Sequence, residues 1–256
     1  MYKAIVIYIK ELKYYFQSIT AYVIIAIFLF LSGYFFHSIF KFYNFLSYEA
    51  AKNQYYPDGL NLIEGVMRPL LNNTSIILLL VLPLLTMRLL AEERRQGTFE
   101  LLLTYPVNDA SVVIGKFGAA LTTYIVMLAG TAIYPVLLAV FADPEPGPVL
   151  SGYLGLLLLG CTFIAMGTFF SSLTSSQLVA GVATFGVSLF FLVIGWAAPF
   201  VGTTFARVLS QFSLLLHFDS FSKGIIDVRD ITYYLFLTAF FLFLTVKSLE
   251  STRWRG

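Results

Sequence analysis

Glu92, Glu93, Arg94 and Arg95 place two acids beside two bases between long apolar runs, and they head the densest charged segment of the 256-residue chain. Side chains of these types pair with one another and with a charged partner. Glu92 and Arg95 stand three residues apart, on one helical face, and can form an ion pair. Gly97 then stops the helix, because glycine tolerates the left-handed conformation at a helix end. Thr98 can cap a second short helix, in which Phe99, Leu102 and Leu103 fall at helical spacing while Glu100 faces elsewhere. Pro106 ends it, and Asn108 or Asp109 can cap the next apolar helix. Residues 91–106 therefore read as a charged elbow, an amphipathic peg of about two turns and a stop. Such an element suits docking.

A second polar group lies in His217-Phe-Asp-Ser-Phe-Ser-Lys-Gly-Ile-Ile-Asp-Val-Arg-Asp230. Gly224 marks a turn and Asp230 is expected to cap the helix that follows. Asp219, Lys223, Asp227 and Arg229 can anchor that turn through ion pairs. With only two histidines in the chain, His217 and Asp219 are expected to fix the turn by hydrogen bonds rather than to hold a metal. The single cysteine, Cys161, excludes an internal disulfide framework and a zinc site built on several cysteines. It reads as a small buried apolar side chain. The phosphate-binding pattern Gly-x4-Gly-Lys-Ser/Thr is absent, so any nucleotide hydrolysis must come from another polypeptide. No catalytic residue, no metal site and no bound cofactor is assigned to this chain.

The elements that carry these groups follow from composition. The chain has 59% hydrophobic residues, 12% charged residues and a mean hydropathy of +0.83. It cannot hide that much apolar surface in an ordinary soluble core. It reads as an all-α integral membrane protein. The net charge of +2 offers nothing to nucleic acid. A helix needs roughly 20 mostly apolar residues to cross a bilayer. Six windows qualify: residues 20–40, 75–90, 112–141, 150–170, 178–200 and 231–246. Pro83 is expected to kink the second and Pro135 to bend the third. The first apolar run starts too late and is too long to be a signal peptide. All 14 acidic residues fall outside the spans or at their ends, so the mid-membrane carboxylate that marks ion-coupled transport is missing.

Orientation comes from lysine and arginine counts. With the amino terminus inside, Lys3, Lys10, Lys13, Arg88, Arg94, Arg95, Lys116, Lys247, Arg253 and Arg255 are inner, ten of the 16 basic residues. Both termini and the elbow are therefore expected to be cytoplasmic. Residues 1–19 carry Ile5, Ile9, Leu12 and Phe16 on one face, with Lys3, Lys10, Glu11 and Lys13 elsewhere, which suits a helix lying in the inner headgroup layer. On the outside, residues 41–73 form a long loop, partly helical, and residues 142–148 a stiff proline-rich turn. Residues 205–218 are apolar but too short to cross, and read as a re-entrant or interfacial segment. Glycines 152, 155, 160, 167, 181, 186 and 195 permit close helix approach in the fourth and fifth spans. Ser171, Ser172, Thr174, Ser175, Ser176 and Gln177 make the inner turn between them.

Six spans with Arg88-Leu-Leu-Ala-Glu-Glu-Arg-Arg-Gln-Gly-Thr-Phe-Glu-Leu-Leu-Leu-Thr-Tyr-Pro106 after the second closely resemble the ABC-2 type transporter permeases, and the resemblance covers essentially the whole chain. The stretch 217–230 is similar to the branch that includes the permease of the bacterial gliding-motility ABC transporter. The resemblance implies a cytoplasmic coupling helix between spans 2 and 3, with Phe99, Leu102 and Leu103 in the groove of an ABC ATPase subunit and Glu92, Glu93, Arg94 and Arg95 as the hinge. It implies a bacterial inner-membrane exporter in which a second permease copy or a homologous permease pairs with this chain. ATP and Mg would be bound by the partner ATPase, and the outer segment 205–218 would help close the exit. Apolar spans without fixed charges favour a lipidic, amphipathic or polymeric cargo. Two other readings stay open: a membrane anchor of an ABC complex that passes motion to an extracytoplasmic partner, and a stand-alone secondary transporter.

Overall fold

The computed structural model describes residues 2–52, 61–98, 108–142 and 145–253, and among these every regular element is helical. Helix α1 (Tyr2–Gln17) ends at Ser18, and α2 (Ile19–Lys52) follows after that single break. Helix α2 runs for 34 residues, well beyond the 20–40 window. A helix of that size is about 50 Å long, whereas a hydrocarbon core is about 30 Å thick. It takes in the first part of the expected outer loop. A π-helical turn (Ile63–Met67), begun by the Asn61 side chain accepting from the Ile63 amide at 2.9 Å, leads into α3 (Arg68–Thr86).

The two prolines sit differently. Proline lacks a backbone N–H and its ring presses on the carbonyl four residues back. Pro83 nevertheless lies inside α3, which runs past it to Thr86, and the short α4 (Ala91–Arg95) starts beyond a turn. By contrast α5 (Asp109–Thr131) stops at the residue four before Pro135, and α6 (Ile133–Ala142) carries the span onward. Asn108 caps α5, its side chain accepting from the Ala110 amide at 3.2 Å. The remaining helices are α7 (Pro146–Leu173), α8 (Gln177–Val193) with a 3-10 stretch (Ile194–Phe200), α9 (Thr203–Phe212), α10 (Leu214–Ser222) and α11 (Val228–Arg253). The segment 205–218 thus falls on two helices parted at Ser213, whose hydroxyl accepts from the Leu216 amide. Nothing on α9 is buried, whereas α10 buries Leu214, His217, Phe218 and Phe221.

Among the described residues, six helices are long and apolar enough to cross a membrane. The α3 and α7 spans are 72% and 67% buried, while those of α2, α8 and α11 are only 22–28% buried, with Phe30, Leu178, Val182 and Phe236 turned outward. Such outward apolar faces suit a lipid or protein neighbour rather than water, and in helices the spanning backbone satisfies its own polar groups. Helix α7 packs against α3, α5, α8, α10 and α11. Its glycines explain how: a Cβ on Gly160 would run into the Tyr124 ring of α5, and one on Gly167 into Thr86 of α3. Tyr124, fully buried, donates to the Leu156 carbonyl at 2.6 Å.

Replacing Gly160 by valine should displace Tyr124 from Leu156 and cost about 1–3 kcal/mol as an overpacked core. Gly186→Ala, whose Cβ would meet nothing within 4 Å, is the neutral comparison. Thermal midpoints in detergent measure both, and equal midpoints would refute this account of the α5–α7 seam.

Candidate functional site

The break between α3 and α4 leaves backbone groups without helical partners. The place is buried, since Leu89, Leu90 and Ala91 are all at most 3% exposed. One hydroxyl answers them. Ser171 of α7 accepts from the Leu90 amide at 2.9 Å and the Ala91 amide at 3.0 Å, and donates to the Met87 carbonyl at 3.0 Å. That uses both lone pairs and the single proton of a serine. The elbow is thereby fixed against α7 before any of its charges is considered.

Each charged side chain of the elbow then reaches a different neighbour. Glu92 pairs with Arg95 at 3.0 Å, as its spacing predicts, and accepts from Gln96 at 2.6 Å; its other oxygen accepts from Gln177 at the start of α8. Glu93 meets the Lys116 ammonium of α5 at 3.0 Å, and the same ammonium meets Glu11 of α1 at 2.8 Å. Arg94 donates to Thr252 of α11 at 3.1 Å. Arg88 lies over the rings of Tyr14 and Tyr15, a cation–π arrangement, and reaches the Ser18 hydroxyl. Tyr15 donates to the Leu85 carbonyl at 2.9 Å. Gly97 adopts φ +69°, the left-handed conformation expected of it, and Thr98 donates to the Glu93 carbonyl at 3.4 Å. Phe99, Glu100, Leu102, Leu103 and Pro106 lie outside the described residues.

Four residues that matter here were named in the sequence only for other roles, and none as part of the elbow's surroundings: Glu11, Lys116, Ser171 and Gln177. Lys116 carried a signal, being a lone cation well inside an apolar helix. Glu11 carried a subtler one. The protein-facing side of α1 comprises Ala4, Ile7, Tyr8 and Glu11 against α5 and Tyr15 against α3, whereas Ile5 and Ile9 point outward. Those five follow the i, i+3, i+4 spacing of one helical face. Gly115 and Gly118 of α5 make room for Ile7 and Tyr8, and Tyr8 shares a hydrogen bond with Thr122 at 3.0 Å. So α1 has two faces in use, one against protein and one available to lipid.

At the other end of the bundle, Asp219 bridges elements. It accepts from Arg68 of α3 at 2.7 Å and pairs with Lys223. Asp230 does not cap α11; that place belongs to Asp227, whose carboxylate accepts from the Arg229 amide at 2.9 Å. An earlier residue competes for the cap, and Asp230 is left to face His217, Nδ1 to Oδ1 at 2.6 Å. His217 and Asp219 both hydrogen-bond, each to a different partner. His217 Nε2 stands 3.1 Å from the Gln211 carbonyl. A carbonyl can only accept, so Nε2 is the donor in that contact. Tyr233 stacks on the imidazole at 4.0 Å between ring centres. Gly224 turns at φ +87° against Pro148. Among the described residues no His, Cys, Asp or Glu group is arranged to hold a metal.

Beside the elbow an apolar groove of about 590 Å³ opens between α3 and α8, lined by Leu80, Leu84, Met87, Leu178, Val182 and Phe185.

Burial alone would raise the Asp219 carboxyl, but hydrogen bonds from Lys223 and Arg68 outweigh it and hold the carboxyl below its ordinary range. A lowered folded value stabilises above the unfolded value of about 3.9 and is lost as pH falls through the lowered one. Asp219→Asn should therefore be less thermostable than the parent at neutral pH, with the gap closing under acid. A gap that is constant with pH would show that the charge does not matter there.

Residues 5–245 match the family described as ABC-2 family transporter protein. A 142-residue stretch is 27% identical to the "Probable ABC transporter permease protein NosY" of Pseudomonas aeruginosa, covering 53% of this chain and 52% of that protein. The chain thus spans about half the length of this curated relative. The six apolar helices, the elbow after the second of them and the match along nearly the whole length converge: this multi-pass membrane permease belongs to the ABC-2 transporter family.

Proposed function

We propose that this chain is the membrane half of an ATP-driven exporter in a bacterial inner membrane, worked by separate ATPase subunits that dock on residues 91–106. The observation that carries the proposal is the wiring of the elbow. Through Ser171, Gln177, Lys116, Thr252 and the Tyr14–Tyr15 pair, one short segment is bonded to α7, α8, α5, α11 and α1. A push on it reaches most of the bundle without passing through a flexible linker. Phe99, Leu102 and Leu103 enter the ATPase groove and Glu92, Glu93, Arg94 and Arg95 pass its movement on.

The excess of lysines and arginines at this end supports a cytoplasmic location for it and for both termini. ATP and Mg bind in the partner, since this sequence lacks a phosphate-binding loop. The exposed apolar walls of α3 and α8 suit pairing with a second permease, and cargo passes between the two copies. A second reading has its own support on the outside, where Trp196, Phe200 and Phe205 are 62–88% exposed near the α8–α9 connection. There the complex engages an extracytoplasmic protein and delivers motion to it instead of cargo.

Affinity purification of the chain from gently solubilised membranes, followed by mass spectrometry, should recover an ABC ATPase. Phe99→Glu with Leu102→Glu should leave the permease inserted but lower ATPase recovery roughly tenfold or more, as loss of two buried anchors at an interface does. Undiminished recovery would remove the peg assignment, and recovery of no ATPase by the unaltered chain would remove the transporter reading. A reporter fused after Gly256 should read as cytoplasmic.

A further inference from the structure

Lys116 is the most deeply buried cation among the described residues, at 1% exposure, and two acids from different elements converge on its one ammonium. Glu11 lies at 2.8 Å and Glu93 at 3.0 Å. A lone buried ammonium is costly, so Lys116 needs at least one of them. It does not need both. The cluster carries one positive and two negative charges, and Glu93 Oε2 is buried without a hydrogen bond among the described residues. Withdrawing either carboxylate leaves a neutral ion pair behind. Withdrawing the ammonium leaves two like charges facing each other.

The two acids are not held equally. Glu11 stands on the 16-residue α1, seated on Gly115 and Gly118 and bonded through Tyr8 to Thr122. Glu93 stands on the five-residue α4, which is set between two chain breaks at Met87 and Gly97. When the cluster opens, Glu93 is the arm that leaves and Glu11 the arm that stays. We infer that Lys116 is a positioning residue whose paired carboxylates form a release point: the elbow swings off the bundle through Glu93 while Glu11 keeps the ammonium neutralised and α1 seated. This rests on the coupling role proposed for the elbow, and gives that movement a defined place to break and re-form.

The test compares Glu93→Gln, Glu11→Gln, their combination and Lys116→Met in the full-length permease, alone and with the ATPase that co-purifies. Each single neutralisation should leave a folded protein, because Lys116 keeps one partner. In Glu93→Gln the amides of residues 87–97 should exchange hydrogen roughly tenfold faster or more, the loss of one charge-assisted bond, while those of α1 are unmoved. In Glu11→Gln the pattern should reverse. The combination should lose far more thermal stability than the two singles add to, since only then is the ammonium left alone. Lys116→Met should accumulate poorly; the inference stands or falls on the glutamate variants. In the complex, Glu93→Gln should keep the ATPase bound yet lose the permease-dependent stimulation of hydrolysis. Additive stability losses, unchanged elbow exchange, or undiminished stimulation in Glu93→Gln would each overturn the inference. If the unaltered permease recruits no ATPase, the coupling reading beneath it falls instead, a result distinct from one in which both parent and Glu93→Gln stimulate equally.

Discussion

A membrane helix that stops inside protein must hand its unpaired backbone groups to someone, because neither lipid nor water is there to take them. Ser171 takes them here. Its three bonds satisfy the Leu90 and Ala91 amides and the Met87 carbonyl at the bend where α3 gives way to α4. Everything else about the elbow depends on that. Once the turn is fixed, Glu93 falls beside Lys116, Glu92 beside Gln177 and Arg94 beside Thr252. Gly167 belongs to the same arrangement, since it brings α7 close enough to Thr86 for a serine one turn later to reach the break.

The two ends of the bundle solve the same problem differently. At the elbow end, charges are shared among elements distant in sequence, and the deepest is a cation between two acids. At the other end, single acids each bridge two elements: Asp219 ties α10 to α3, and Asp230 ties α11 to His217 of α10. Tyr233 and Tyr234 add bonds to the Phe212 and Leu214 carbonyls on either side of Ser213, so the junction between α9 and α10 is pinned to α11 by backbone acceptors. The middle of the membrane is left to aromatic and aliphatic packing around Phe163, Leu78, Leu82 and Tyr124.

Local patterns were legible and distant ones were not. The apolar windows, the bend before Pro135, the Asn108 cap, the left-handed Gly97 and the Glu92–Arg95 pair all depend on residues within a turn or two of each other, where spacing alone carries the information. The Lys116–Glu11 pair spans 105 residues and the Ser171 bonds 80 or more, and no spacing rule says which of the chain's many hydroxyls will face a broken helix. Asp230 shows the reverse failure: its position suits a cap, but Asp227 is better placed, and the acid left over pairs with His217, 13 residues back. The faces of α1 were only half legible, because Ile5 and Ile9 mark the outward side while the protein-facing side is built from Tyr8, Glu11 and Tyr15.

Helix α2 differs from the rest in proportion. It is longer than a hydrocarbon core is thick, and its most apolar window is largely uncovered by protein. Its seat is made by Phe28 within the core and by Phe36, which stacks on Tyr134 at 4.8 Å. A helix of this kind accommodates hydrophobic mismatch by tilt or by how much of its length lipid covers. Changes in bilayer thickness are therefore taken up at the rim of the protein, and α3 and α7, with the elbow they hold, keep their spacing when the surrounding membrane does not.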